Sequence, residues 1–130
     1  MKAQLNDSGS ETIIIAENFA SNLQSILKET SIKNVLITSV GEFLGLKGIM
    51  INFVLRRIRK MVPKYSLPNA VNFKDAINIG AKHKFKEQKI DKEDIAFLQY
   101  TGGTTGGVKA AILSHSCLLY TSDAADDIPG

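Results

Sequence analysis

The 130-residue sequence has one cysteine, two histidines and three prolines, and no apolar run approaching a membrane span. The lone Cys117 excludes an internal disulfide and any multi-cysteine metal site. His83 and His115 stand far apart, and no Cys, Asp or second His lies at ligand spacing from His83, so no metal cluster is expected. His83 reads as a surface residue and His115 as a structural one. Met1-Lys2 leads into polar sequence, where a signal peptide would place an apolar segment, so the chain reads as cytosolic in origin. What remains is ordinary: 44% hydrophobic and 22% charged residues suit one modest globular domain with a core of its own.

Acidic residues are missing from one stretch altogether. Gly45 to Tyr65 contains Lys47, Arg56, Arg57, Arg59, Lys60 and Lys64 and no Asp or Glu. The whole chain has 16 basic and 13 acidic residues, so without these six cations the remainder is acidic, and the pI near 9.0 describes one segment. Helical periodicity predicts a basic amphipathic helix over about 47–62, ended by Pro63. Met50, Ile51, Val54, Leu55, Ile58, Met61 and Val62 fall within an arc of roughly 140°; Arg56, Arg57, Arg59, Lys60 and Lys64 take the opposite arc. Ile49 and Phe53 break the pattern near the polar side. Two readings follow. Either Arg56, Arg57, Arg59 and Lys60 contact an anionic membrane surface, or the apolar arc packs on the domain and the cations are solvated. Nucleic-acid binding is not expected, because the basic face lacks interleaved aromatics and no nucleic-acid motif accompanies it.

Elsewhere the local signals are short and clear. Leu5 to Gly9 has the polar residues and glycine of a helix C-terminus. Thr12–Ala16 and Asn34–Thr38 read as buried strands, with a helix over Asn18–Thr30 between them. Asn18 is the expected N-cap of that helix, and Phe19, Leu23, Ile26 and Leu27 recur at its spacing. Strand, helix and strand with short connections predict a parallel βαβ unit whose strands are covered on both faces, the covers expected to come partly from sequence outside these 130 residues. Ser66–Asn69 is a turn, Asn72 is placed to cap a short helix ending at Gly80, and Ala81–Glu93 is a charged, solvated connection.

The chemistry concentrates at the end of an apolar run. Ile95–Tyr100, expected to be a buried strand, empties into Thr101-Gly102-Gly103-Thr104-Thr105-Gly106-Gly107-Val108-Lys109. Glycines let backbone N–H groups turn inward and approach an anion, threonines add hydroxyl donors, and lysine adds a full charge. A polyphosphate is the favoured ligand. The loop is not a Walker A sequence: Val108 follows Gly107, and Lys109 precedes Ala110 where a hydroxyl is required. Nor does G-x-G-x-x-G find a register.

Tyr100–Lys109 resembles the signature phosphate loop of the adenylate-forming (AMP-binding) superfamily of acyl-CoA synthetases. Asp94–Tyr100, Gln4–Gly9 and Val62–Pro68 are similar to segments of bacterial long-chain fatty-acid–CoA ligases within it. The resemblance implies an α/β fold, part of a larger N-terminal domain with mostly parallel strands and flanking helices. It implies ATP, Mg²⁺ and coenzyme A as cofactor and co-substrates, and a fatty acid as the acid activated. Thr101, Gly102, Gly103, Thr104, Thr105 and Gly106 match the positions that wrap the β- and γ-phosphates, and Lys109 the motif lysine. It also implies association with the inner face of the cell membrane, and it assigns no oligomeric state. Two other functions remain open: an enzyme adenylating other acyl or aryl acids, and a non-catalytic membrane-surface module.

Gly107, Val108 and Ala110 depart from the usual pattern; if position 110 needs a positive φ, Ala costs about 1 kcal/mol or more there. The resembled family is several times longer, and its adenine, ribose and Mg²⁺ segments and mobile C-terminal domain lie downstream of this loop. Residues 1–116 are therefore expected to be an internal piece of the N-terminal domain, with Met1 not a true start and no ligase activity in isolation. Cys117–Gly130 resembles the in-frame translation of a transposon-based sequencing adapter, so 117–130 is expected to be non-native.

Overall fold

The computed structural model describes residues 1–101 and 108–126, which divide into two compact units, Met1–Lys84 and Phe85–Gly130. The first is built on β1 (Thr12–Ala16) and β2 (Asn34–Thr38), paired in parallel from Thr12↔Asn34 to Ala16↔Thr38. Each strand is centred on a short apolar run, Ile13–Ile15 in β1 and Val35–Ile37 in β2. β3 (Val71–Asn72) adds to β2 in parallel and is too short to announce itself by alternation.

One face of this sheet is covered. Ile13, Ile15, Val35 and Ile37 share it and pack with Leu23, the one large side chain that is fully buried among the described residues. Burying a leucine this completely contributes about 2 kcal/mol over leaving it exposed. Leu5 joins the core from α1 (Lys2–Ser8), which ends on Gly9 in the left-handed conformation (φ 61°) that a glycine adopts without steric cost. The opposite face is only partly covered: Ile14 is exposed and its neighbour Leu36 half-buried.

The connection between β1 and β2 is more broken than its periodicity suggests. A 3₁₀ turn (Glu17–Phe19) precedes α2 (Ala20–Ile26), and a second one (Leu27–Glu29) follows it. Asn18 lies inside the first turn, and α2 begins without a side-chain cap. The tight turn carries Glu17 into the interior, which displaces the helix start by two residues and leaves Phe19 exposed.

Past β2 the chain forms α3 (Gly45–Phe53), a π turn (Val54–Ile58) and α4 (Phe73–Gly80). α4 is capped as expected: Asn72 Oδ1 accepts from the amides of Lys74 (3.0 Å) and Asp75 (3.4 Å). The 81–93 connection is exposed throughout.

The second unit holds an antiparallel pair, β4 (Ile95–Thr101) and β5 (Lys109–Ser114), then α5 (His115–Asp126). β4 is not a buried strand among the described residues: Ile95, Phe97 and Leu98 are exposed. The register slips at a bulge between Ile95 and Phe97. The first amides of α5 are satisfied by the 91–94 turn, His115 N–H donating to Asp94 O (3.1 Å) and Ser116 N–H to Lys92 O (2.9 Å).

Candidate functional site

Two residues of the Gly/Thr motif, Thr101 and Lys109, lie at one end of the β4–β5 pair. Thr101 ends β4, Lys109 begins β5, and the two are directly paired. Directly opposed residues in an antiparallel pair point to the same face, so a hydroxyl and an ammonium flank the loop on one side. Gly102, Gly103, Thr104, Thr105 and Gly106, with Gly107, lie outside the described residues. A loop joining two antiparallel strands differs from the strand–loop–helix of Walker and dinucleotide sites, where a helix N-terminus supplies the positive end. Here the pairing of Thr101 with Lys109 places a hydroxyl and an ammonium side by side, donor types that can bind an anion.

Ala110 lies in β5 opposite Tyr100, with ordinary extended geometry. Among the described residues the only non-glycine with positive φ is Lys60, so alanine at 110 carries no conformational penalty. His115 is half-buried at the start of α5, where its backbone closes the 91–94 turn, and His83 is exposed. Among the described residues, no group of three or more His, Cys, Asp or Glu is placed to hold a metal.

The basic segment is not one helix ending at Pro63. α3 widens after Phe53: Arg59 N–H reaches back five residues to Val54 O (2.9 Å), and Met61 N–H six residues to Leu55 O (3.0 Å). Lys60 turns the chain away at φ 49°, so Arg59 and Lys60 lie beyond the last helical turn. A wider turn winds fewer degrees per residue, and the arc drawn at a constant 100° loses its phase.

The packed face differs as well. Gly48 is buried against Gly41, and Asn52 donates to Ser39 Oγ (2.9 Å) while accepting from Gly41 N–H (2.9 Å). With half-buried Ile51 and Leu55 these residues form the contact stripe, at i, i+3, i+4 and i+7 from Gly48. Leu46, Ile49, Met50 and Phe53 form a second stripe, 58–86% exposed, where Ile49 and Phe53 had looked like exceptions. Two glycines in backbone contact and one asparagine, none of them apolar by side chain, decide which face turns inward.

Arg56 is not a solvated cation. Its Nη2 and Nε lie 2.7 and 2.9 Å from Oε2 of Glu17, whose side chain is 5% exposed. The hydrogen bond to Glu17 raises the guanidinium further above its ordinary pKa, so the pair stays charged on the arginine side at any working pH. Arg57, Arg59 and Lys60 are exposed. Glu17 has no distinguishing signal in the sequence beyond being an acid directly after a buried strand.

A second carboxylate, Glu42, ties the turn after β2 to α4. It accepts from Thr38 Oγ1 (2.5 Å), Ser39 N–H (3.3 Å) and Lys74 N–H (3.1 Å). Burial pushes its pKa up, but these hydrogen bonds outweigh burial and hold it below the usual carboxylate value. Its stabilising contribution is therefore present at neutral pH and is lost as pH falls through the lowered value.

The AMP-binding enzyme family matches residues 1–129. The long-chain-fatty-acid–CoA ligase of Salmonella typhimurium is 44% identical over 120 residues, which are 92% of this chain and 21% of that protein. The ligase of the same name from Haemophilus influenzae is 42% identical over the same shares, and that of Bacillus subtilis 27% identical over 124 residues. The chain thus spans about a fifth of the length of the curated relatives it matches. No solved structure is significantly similar to it. A family match over residues 1–129, in a chain whose Gly/Thr motif runs between paired Thr101 and Lys109, places this chain in the AMP-binding enzyme family.

Proposed function

We propose that this chain is part of the N-terminal domain of an ATP-dependent long-chain fatty-acid–CoA ligase, with the loop between Thr101 and Lys109 holding the β- and γ-phosphates of ATP. The observation that carries the reading is 44% identity over 92% of the chain to a ligase of that name, in a chain whose loop is closed by a paired threonine and lysine. In the reaction proposed, the fatty-acid carboxylate attacks the α-phosphate and pyrophosphate leaves, after which the acyl group passes from AMP to the thiol of coenzyme A. The loop contributes positioning and charge: Thr101 donates a hydroxyl and Lys109 an ammonium toward the leaving pyrophosphate. Mg²⁺ would neutralise the remaining phosphate charge.

ATP–pyrophosphate exchange by the full-length protein tests this. Exchange should depend on a long-chain fatty acid, and Lys109→Ala should slow it about 10–100-fold, the loss of one charge-assisted hydrogen bond. Exchange stimulated by an aryl acid and not by a fatty acid would overturn the substrate. A rate untouched by Lys109→Ala would overturn the role of the loop.

The exposed stripe on α3 supports a second element, peripheral attachment to an anionic membrane such as the inner face of the cell membrane. Leu46, Ile49, Met50 and Phe53 stand beside Lys47, Arg57, Arg59 and Lys60, and no acidic residue occurs between Glu42 and Asp75. No helix among the described residues is long and apolar enough to cross a membrane, so contact would be with the surface. Near an anionic surface each cation contributes about 1 kcal/mol. Neutralising Arg57, Arg59 and Lys60 to alanine should therefore cut co-sedimentation with phosphatidylglycerol vesicles at least about tenfold. Equal sedimentation with neutral and anionic vesicles would refute attachment by charge. Arg56 is left out of this set because Glu17 holds it.

A further inference from the structure

We propose that the cavity between the end of β1 and the π turn is a binding site for a small neutral polyol, of the size of one sugar ring. The cavity measures about 250 Å³ and its walls include Glu17, Arg56, Ser39, Tyr65, Ile37 and Leu67. Its volume is several times the roughly 30 Å³ that one water occupies, so an occupant with a carbon skeleton fits.

The chemistry is set by Glu17, a wall residue only 4% exposed. Both Arg56 bonds go to Oε2, while Oε1 is buried without a partner among the described residues. A buried carboxylate oxygen is expensive to leave without a donor, which makes a hydrogen-bond donor the favoured occupant. Arg56 already balances the carboxylate's charge, so the remaining demand is for an O–H donor. A second cation would meet the guanidinium's repulsion in a partly desolvated site.

The rest of the wall refines the class. Ser39 Oγ accepts from Asn52 Nδ2 (2.9 Å), which leaves its own O–H to donate, and Tyr65 brings a hydroxyl that both donates and accepts. Two other polar residues of the wall are committed elsewhere, Thr38 to Glu42 and the Asn72 oxygen to the cap of α4. Ile37 and Leu67 present hydrocarbon. Adjacent hydroxyls on a carbon ring supply donors to Oε1, partners to Ser39 and Tyr65, and C–H faces to the two aliphatic side chains.

D-ribose is a suitable probe, titrated against the isotopically labelled 130-residue chain, with ethylammonium as the cationic control. Ribose should shift the amides of Glu17, Ser39 and Val71 saturably, and Tyr65→Phe and Ser39→Ala should each weaken it about fivefold, the worth of one neutral hydrogen bond. Both variants remove a single hydroxyl, so an otherwise unchanged amide spectrum certifies the fold; Glu17→Gln should abolish the shifts. Tighter binding of ethylammonium than of ribose would overturn the polyol in favour of a cation site. Absence of saturable shifts, or ribose affinity unchanged in both hydroxyl variants, would overturn the site.

Discussion

Replacing Arg56 with alanine should destabilise the Met1–Lys84 unit by about 2–4 kcal/mol, although the arginine itself is 53% exposed. The cost comes from the partner. Glu17 is buried, and both hydrogen bonds to its Oε2 come from this guanidinium. Removing one member of a buried pair leaves a charge without compensation, which typically costs about 3–5 kcal/mol. Water reaching the site past the vacated, half-exposed position softens that figure, hence the lower range. Removing the charge as well should recover much of the loss, so Glu17→Gln with Arg56→Ala should be more stable than Arg56→Ala alone. Urea unfolding of the four variants of the cycle measures this. A loss below about 0.5 kcal/mol in Arg56→Ala would show that the pair behaves like an exposed surface bridge.

Gly48→Ala should cost a comparable amount, about 2–4 kcal/mol, for a steric reason. A Cβ on Gly48 would lie 2.7 Å from the carbonyl carbon of Gly41 and overlap its oxygen. Both sides of that contact are backbone, so no rotamer change relieves it. α3 would have to lift from the turn after β2, straining the two Asn52 hydrogen bonds that hold it there. Each of those contributes about 1 kcal/mol. Alanine's better helix propensity, about 1 kcal/mol, is too small to offset the clash. Gly80→Ala is the control. A Cβ at Gly80, the last residue of α4, meets nothing within 4 Å, and that change should stabilise by up to about 0.5 kcal/mol, less than in a helix interior. Thermal unfolding should move in opposite directions for the two variants. A Gly48→Ala protein as stable as its parent would mean that α3 does not rest on Gly41.

The two variants also divide the basic segment by role. Arg56 and Gly48 fasten it to the turns after β1 and β2, while Leu46, Ile49, Met50, Phe53 and the cations after Arg56 are exposed. A membrane-directed experiment that alters Arg56 would therefore confound surface charge with folding. Arg57, Arg59 and Lys60 are the residues to change.

Local signals read correctly wherever the deciding interactions span a few residues. The short apolar runs marked β1 and β2, and the helical crossover between them made them parallel. Asn72 capped α4 because its partners are two and three residues away. The Gly/Thr motif from Thr101 to Lys109 was legible as a motif because its residues stand in unbroken order. Through that motif the family was legible too, and the match over 1–129 agrees with it.

The tertiary structure decided the features whose partners are distant. Arg56 and Glu17 are 39 residues apart, and only the folded chain shows that one cation of the basic face is an internal partner. Asn52 reaches back 11 and 13 residues to Gly41 and Ser39, and this contact, with the two glycines, rotated α3 away from its apparent apolar arc. Periodicity counts apolar side chains and gives no weight to a glycine pair that packs backbone on backbone. The antiparallel pairing of Thr101 with Lys109, and the extended conformation that makes Ala110 harmless, likewise depend on which strand β4 meets. Composition along a strand sets its faces; its neighbour is chosen by the closure of the chain.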